Sequence, residues 1–248
     1  MKVTDTSPRK YARLGGIFYL INIALGIFSI AYIESVIVIG GNPAATANNI
    51  ISHEFLYRLG IVSHIIILLT NFPLALIFYR LFRIVNKNAT LLVVFFTLAG
   101  TAIEAANLLN EFAPLLLIKK STSGVGSLNE VQMYDQVFTL LRLKSMGFNL
   151  ALIFYACYNL SGGYLIFKSK FLPKSIGIFL IIGGLCYLTY SFAAFLVPKF
   201  ADSLVPYIQI PSGLAELTFC LWLLIAGVNL KKWKEQEHIA LLSHRPVG

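Results

Sequence analysis

The sequence alternates between long apolar stretches and short polar segments. Six stretches reach the roughly 20 mostly apolar residues that a helix needs to cross the hydrocarbon core of a bilayer. They cover Leu14–Gly40, Leu56–Phe82, Thr90–Ile118, Val137–Phe167, Ile176–Val197 and Leu204–Leu230. They are too long for the strands of a membrane barrel, and their polar residues do not alternate with a period of two. The pattern therefore predicts an all-α, polytopic integral membrane protein with six transmembrane helices.

The composition agrees with this prediction. Of the 248 residues, 57% are hydrophobic and 12% are charged, whereas soluble domains carry about 25% charged residues. This excludes a soluble enzyme, a disordered chain and a disulfide-rich secreted domain. The first apolar stretch is also longer than the roughly 7–15 residues of a signal-peptide core. We therefore expect it to be retained as the first helix.

Lysine and arginine residues are distributed unequally between the two sides of the predicted spans. Fourteen lie on the side of the two termini and three on the opposite side. By the positive-inside rule, both termini are then cytoplasmic in a multi-pass protein of the plasma or inner membrane. The net charge of +9 is thus mainly a topology signal. It favours attraction to anionic lipid headgroups of the bilayer, and we expect no nucleic-acid partner.

The same pattern predicts how the chain is organised. We expect a cytoplasmic N-terminal segment over residues 1–13, a six-helix transmembrane bundle over 14–230 and a basic cytoplasmic tail over 231–248. Tight turns at Asn86–Asn88 and Phe171–Pro173 indicate antiparallel neighbours. The segments Gly41–Glu54 and Lys119–Gln136 are expected to be loops on the opposite side.

Four segments resemble a known bacterial family. They are RLGGIFYLINIALGIF (Arg13–Phe28), NPAATANNIISHEFLYRLGI (Asn42–Ile61), ALIFYRLFRIVNKN (Ala75–Asn88) and GGYLIFKSKFLPKSIGIFLIIGG (Gly162–Gly184). They are similar to the family catalogued as domain of unknown function 4386. The resemblance implies a bacterial membrane protein with six helices and no assigned activity. The chain differs from the family's pattern at Lys144, where members often have histidine, and at Tyr190, where they often have an acidic residue.

Polar residues inside the predicted spans form stripes at helical spacing. In the third span, Glu104, Asn107 and Glu111 recur every three or four residues. A charged group at the centre of a bilayer costs several kcal/mol unless it is paired or hydrated, so such residues normally face the protein interior. Ten residues are therefore predicted to line an intramembrane polar cavity: Glu34, Arg58, His64, Asn71, Glu104, Asn107, Arg142, Lys144, Asn149 and Glu216.

The chemistry of this predicted cavity leaves alternatives open. Asparagine and serine side chains also act as hydrogen-bonding contacts between helices, without any ligand. Glu104 and Glu216 lie near the middle of their spans, and the cations Arg58, Arg142 and Lys144 lie further out. We therefore expect at least one of these two acids to be unpaired and protonated.

Motif searches leave the type of function open. The sequence lacks HExxH, a phosphate-binding loop and a dinucleotide fingerprint. We expect no metal and no cofactor, and whether the protein is an enzyme stays open. The best hypothesis is binding or transport of a small amphiphilic or hydrophobic ligand in the polar cavity. The alternatives are an intramembrane enzyme that uses a buried glutamate as general acid or base on a lipid-like substrate, and a structural or regulatory partner of another membrane protein.

Overall fold

The computed structural model describes residues 7–122 and 129–243. Two basic residues of the topology argument, Lys2 and Arg245, lie outside the described residues. So do residues 123–128 of the predicted second loop.

The described residues are helical and contain no strand. Their elements are α1 (Pro8–Gly26), a π-helix (Ile27–Ile33), α2 (Glu34–Ile37), α3 (Pro43–Ser52), α4 (Glu54–Phe82), α5 (Lys87–Thr122), α6 (Glu130–Lys168), α7 (Lys174–Leu196), α8 (Pro198–Leu204), a 3-10 turn (Tyr207–Gln209), α9 (Ile210–Ile225) and α10 (Leu230–Ser243).

Six helical segments within the described residues are long and apolar enough to cross a membrane. They are Pro8–Ile37, Glu54–Phe82, Lys87–Lys120, Glu130–Lys168, Lys174–Leu196 and Tyr207–Ile225. The predictions of an all-helical fold and of six candidate spans are confirmed. The ends of the helices differ from the ends of the predicted apolar stretches. The clearest case is α6, which begins at Glu130, seven residues before the predicted start at Val137. Polar residues extend a helix beyond the membrane at no cost because water solvates them there.

The first candidate span contains a π-helix that hydropathy does not reveal. Residues Ile27–Ile33 form it, between α1 and α2. The Ser29 hydroxyl donates a hydrogen bond to the Leu25 carbonyl oxygen at 2.8 Å. π-Helical turns within α-helices are rare and are often found at functional sites. Here the π-helix ends immediately before Glu34 and so sets the direction of that side chain.

The segment predicted as the first loop contains a ten-residue helix, α3. Asn42 caps it by accepting a hydrogen bond from the Ala45 amide at 3.0 Å, and Pro43 occupies its first turn. Thr46 then bonds both backbone groups of Ile39, at 3.0 and 3.2 Å. An N-cap asparagine followed by proline is a helix-start signal. Polarity alone had suggested a loop.

The described helices divide between two compact units. Unit 1 consists of Met1–Leu20, Thr70–Gly100 and Leu152–Gly248, and unit 2 of Ile21–Leu69 and Thr101–Ala151. The helices α1, α4, α5 and α6 each contribute residues to both units. The two units are described separately below.

Unit 1 is held together by close approaches between helices at glycine. A Cβ atom at Gly163 of α6 would lie 2.6 Å from the Gly177 oxygen of α7. A Cβ at Gly183 of α7 would lie 2.9 Å from the Cα of Ser212 in α9. The Ser212 hydroxyl donates to the Gly183 oxygen at 2.7 Å. Small residues thus bring α7 close to both α6 and α9, as is typical of helix packing in membranes.

The predicted basic tail begins with a helix, α10, that packs on unit 1. Gly227 has a φ of 65°, which ends α9 and turns the chain. The Asn229 amide then donates to the Phe171 oxygen at 3.2 Å. Further along, the Trp233 indole donates to the Leu81 oxygen at 3.2 Å, and Gln236 accepts from the Lys170 amide at 3.1 Å. Three contacts therefore hold α10 against the end of α4 and the turn before α7.

In unit 2, α3 contributes Ala47 and Ile50 to an apolar core with residues of the neighbouring helices. Other members of this core are Ile33, Ile37, Tyr57, Ile61, Leu115, Ile118, Met133, Val137 and Leu141. Close packing of these side chains holds α3 against the neighbouring helices.

Candidate functional site

Four ionisable side chains meet in unit 2, each supplied by a different helix. Glu34 begins α2, His64 lies on α4, Glu111 on α5 and Lys144 on α6. The Lys144 ammonium pairs with Glu34 and lies 3.3 Å from Oε1 of Glu111. The other Glu111 oxygen, Oε2, lies 2.7 Å from Nδ1 of His64. We call these four residues the ion cluster.

The ion cluster is largely shielded from its surroundings. The side chains of Glu111, Lys144 and His64 are 6%, 14% and 17% exposed, and that of Glu34 is 39% exposed. Two carboxylates share one ammonium, and the imidazole can supply a second positive charge when it is protonated. A carboxylate bound to imidazole orients the ring and can exchange a proton with it. The cluster can therefore hold α2, α4, α5 and α6 together through charge-assisted hydrogen bonds.

Uncharged groups support the ion cluster. The Tyr57 hydroxyl donates to the backbone oxygen of Glu111 at 2.8 Å. The Asn107 amide nitrogen donates to the backbone oxygen of Lys144 at 2.8 Å, and Asn110 donates to Asn107 at 3.0 Å. Asn107 lies directly against Gly147 of α6, where no Cβ atom would fit. Asn107 thus joins α5 to α6 beside the charged groups.

The remaining predicted cavity residues of unit 2 occupy other positions. Arg58 pairs with Glu54 at 2.6 Å, one turn away on the same helix, and both side chains are 54% exposed. Arg142 is exposed, and Glu104 and Asn149 are half-buried. The ion cluster therefore contains three of the predicted residues, Glu34, His64 and Lys144.

Two residues around the ion cluster were not among the predicted cavity residues. Glu111 belongs to the polar stripe predicted on its helix but is not one of the ten predicted cavity residues. Tyr57 precedes His64 by seven residues, so it occupies the same helix face. That spacing was a usable signal for Tyr57.

Unit 1 contains a second polar group, centred on Glu216 of α9. Oε1 of Glu216 accepts a hydrogen bond from Nδ2 of Asn159 on α6, at 2.9 Å. Tyr19, Tyr158 and Tyr187 all lie close enough to interact electrostatically with the Glu216 carboxylate. Asn71, the other predicted cavity residue of this unit, is buried on α4.

Asn159 and Tyr19 of this group each have a buried side-chain oxygen that lacks a hydrogen-bond partner among the described residues, and Asn159 is the one that also lines a pocket. Its side chain is completely buried, and in the described part of the chain its Oδ1 atom has no hydrogen-bond partner. Nearly all buried polar atoms in proteins have a partner, so such an atom calls for an explanation. One pattern in the sequence indicates its position. Asn159 lies three residues after Ala156 and four before Gly163, so the three residues share one face of α6. The small residues Ala156 and Gly163 on this face pack against α7.

Asn159 also lines a small pocket in unit 1, which we call the Asn159 pocket. Its wall includes Phe78, Phe82, Tyr158, Gly162, Leu180 and Phe219. The rings of Phe78 and Phe219 are stacked, with centroids 5.6 Å apart. The free volume is about 10 Å³, which is close to the minimum for one water molecule. The pocket is thus an aromatic and aliphatic surface with a buried amide in its wall.

Within residues 7–122 and 129–243, no three histidine, cysteine, aspartate or glutamate side chains are arranged to hold a metal ion.

Comparison with known proteins gives one match. The family described as Domain of unknown function (DUF4386) matches residues 14–227. No curated protein and no solved structure matches the chain. The matched range runs from the first candidate span to the end of the sixth and includes both the ion cluster and the Asn159 pocket. The chain therefore belongs to the DUF4386 family, and its helices are those of a multi-pass membrane protein.

Proposed function

We propose that this protein binds a small amphiphilic ligand within the membrane, at the Asn159 pocket, as a binding protein or transporter. The observation that carries the proposal is Asn159, which lines the pocket and whose buried Oδ1 atom lacks a donor among the described residues. Leaving a buried acceptor unsatisfied costs about 1–3 kcal/mol. A ligand that donates a hydrogen bond to Oδ1 recovers this cost.

The wall of the pocket supports an apolar body for the proposed ligand. Phe78, Phe82 and Phe219 present aromatic carbon to the free volume. An apolar ligand body that comes from water gains roughly 25 cal/mol for each Å² of its surface that is buried there. A free volume of about 10 Å³ admits a polar head of one or two heavy atoms, so a larger body requires the lining rings to change rotamer. The best-fitting ligand has a hydrogen-bond donor next to an apolar group.

Gly162 offers a direct test. It lines the pocket, and a Cβ atom there meets no other atom within 4 Å. Gly162→Leu therefore adds a side chain at the pocket wall without a clash at Cβ. The matched control is Gly213→Leu on α9, which also has open space at Cβ and is outside the pocket wall. Thermal unfolding of both variants checks that they fold.

The probe is anthracenemethanol, which has one hydroxyl donor on an apolar body. Binding is measured in phosphatidylcholine nanodiscs by energy transfer from the protein's two tryptophans, with empty nanodiscs subtracted. We expect saturable transfer for the wild type and Gly213→Leu, and at least tenfold weaker binding for Gly162→Leu, about 1.4 kcal/mol. Equal binding by all three proteins would refute the proposal.

We further propose that both termini are cytoplasmic, that residues 1–13 and 231–248 flank a transmembrane domain over 14–230, and that the host membrane is the plasma or inner membrane. The support is the unequal distribution of lysine and arginine between the two sides of the spans.

A further inference from the structure

In unit 1, the start of α1 lies directly against the end of α4. Gly15 permits this close approach, since a Cβ atom there would lie 3.0 Å from Cγ2 of Ile77. One turn nearer the helix ends, Nη1 of Arg80 donates a hydrogen bond to the Tyr11 hydroxyl at 2.5 Å. The Arg80 guanidinium also lies over the Tyr11 ring, 5.2 Å from its centroid. Tyr11 therefore holds the guanidinium in one orientation.

The cations at this contact have no acidic partner. Among the residues that the structure describes, neither Arg80 nor Lys10 belongs to an ion pair, and both are exposed. The bond to Tyr11 uses one of the five N–H donors of Arg80. The planar guanidinium binds phosphate oxygens through parallel hydrogen bonds, and an orientation fixed in advance lowers the entropic cost of doing so. The contact therefore presents a preformed site for a phosphate group.

Exposed apolar side chains continue from these two cations toward the middle of both candidate spans. On α4, the exposed Leu76 lies one turn before Arg80, and on α1 the exposed Leu14 lies one turn after Lys10. Helical spacing places each leucine on the same face as its cation. Both leucines belong to candidate membrane spans, so acyl chains are the surroundings that suit them. We name the surface formed by Lys10, Tyr11, Leu14, Leu76 and Arg80 the α1–α4 seam.

We propose that the α1–α4 seam binds one anionic phospholipid. Arg80 and Lys10 hold its phosphate, and an acyl chain lies along Leu14 and Leu76. The order of charge and apolar surface is that of a lipid in a bilayer. The two cations lie two residues from the helix ends, where headgroups are found, and the leucines follow one turn deeper on each helix.

This lipid site is separate from the proposed function. Phe78 and Phe82 of α4 line the Asn159 pocket. Arg80 lies two residues from each of them, which is about 200° around a helix of 3.6 residues per turn. The seam and the pocket therefore use different faces of α4, and a result at one does not decide the other.

The first test compares two lipids on the wild-type protein. Native mass spectrometry of the protein in detergent micelles measures binding of phosphatidylglycerol and of phosphatidylcholine with identical acyl chains. We expect one phosphatidylglycerol to bind at least roughly tenfold more tightly, because choline already balances the phosphate charge of the other lipid. Equal affinities would overturn the proposal, and this comparison needs no variant.

An excess of inorganic phosphate separates a lipid site from a site for the free anion. The lipid gains from the apolar part of the seam as well as from Arg80, so we expect inorganic phosphate to leave the bound phosphatidylglycerol in place. Displacement of the lipid by inorganic phosphate would assign the seam to a free anion and overturn the proposal.

Arg80→Gln assigns the lipid to the seam. We expect it to weaken binding of phosphatidylglycerol at least roughly tenfold, because the charged hydrogen bonds to the phosphate are lost. The matched control is Arg13→Gln, since Arg13 is also exposed and lies two residues after Tyr11, away from α4. Thermal unfolding checks that both variants fold. An equal loss in both variants would show attraction to diffuse positive charge and overturn the proposed site.

Discussion

Asn107 and Gly147 show how a single side chain can fix the distance between two helices. The Asn107 amide occupies the space where a Cβ of residue 147 would be and donates to the Lys144 backbone at 2.8 Å. The position therefore requires glycine for steric reasons. The sequence indicated a polar stripe containing Asn107, but a stripe does not say which residue of which helix it touches.

Gly147→Ala should lower the free energy of unfolding by about 1–3 kcal/mol, because the methyl group displaces Asn107. Unfolding in detergent measures the effect. Gly213→Ala, with open space at its Cβ, should leave stability unchanged or slightly higher. Adding Asn107→Ala to Gly147→Ala should restore part of the loss, since it removes the clashing amide. A Gly147→Ala protein as stable as the wild type would contradict this contact.

Lys144 carries the positive charge of the ion cluster. Lys144→Met leaves Glu34 and Glu111 facing each other without their cation, and removing one partner of a buried pair typically costs about 3–5 kcal/mol. We expect a loss toward the lower end of this range, since Glu34 is 39% exposed. Arg142→Met, at an exposed position of the same helix, is the control in the unfolding assay. If the two variants are equally stable, the cluster does not stabilise the fold.

At the scale of elements, the helices α3 and α10 were the main additions to the expected pattern. Hydropathy detects spans because each needs about 20 apolar residues, and it is insensitive to a short surface helix. The start of α3 was encoded locally by Asn42 and Pro43. The docking of α10 depends instead on Leu81 and Phe171, which lie far from it in sequence.

Trp233→Ala should release α10 from unit 1, because it removes both a buried ring and the hydrogen bond to Leu81. Losing such a ring costs about 3–5 kcal/mol where the site is fully buried. Limited trypsin digestion measures the release, since Lys231, Lys232 and Lys234 lie in the first part of α10. We expect cleavage there to be at least roughly tenfold faster, because proteolysis follows the open population.

Trp222→Ala is the matched control for this digestion. Trp222 lies on α9, and its side chain is 39% exposed. Among the described residues, its indole nitrogen donates no hydrogen bond to α4. It should leave cleavage of α10 close to the wild-type rate. Equal acceleration by both variants would show that a general loss of stability, rather than undocking of α10, exposes the lysines.

At the scale of the whole molecule, thiol labelling of intact cells measures the proposed orientation of the termini. In a protein whose cysteines Cys157, Cys186 and Cys220 are replaced by alanine, we expect Asn48→Cys to react with an impermeant thiol reagent added to intact cells. Asn88→Cys should react only after permeabilisation. Both asparagines are exposed, so accessibility within the protein does not distinguish them. Labelling of Asn88→Cys alone in intact cells would reverse the proposed topology.

The sequence alone determined the all-helical class, the six candidate spans and the family. These depend on the length and polarity of single segments, because a lipid environment demands a continuous apolar helix at each crossing. Only the tertiary structure decided which polar residues meet. The pairing of Lys144 with Glu34 and Glu111, of Glu111 with His64, and of Glu216 with Asn159 depends on the rotation and depth of separate helices. Helical spacing determines on which face of its own helix a residue lies. Which side chain it meets on another helix depends on how the neighbouring helices pack at glycine and asparagine.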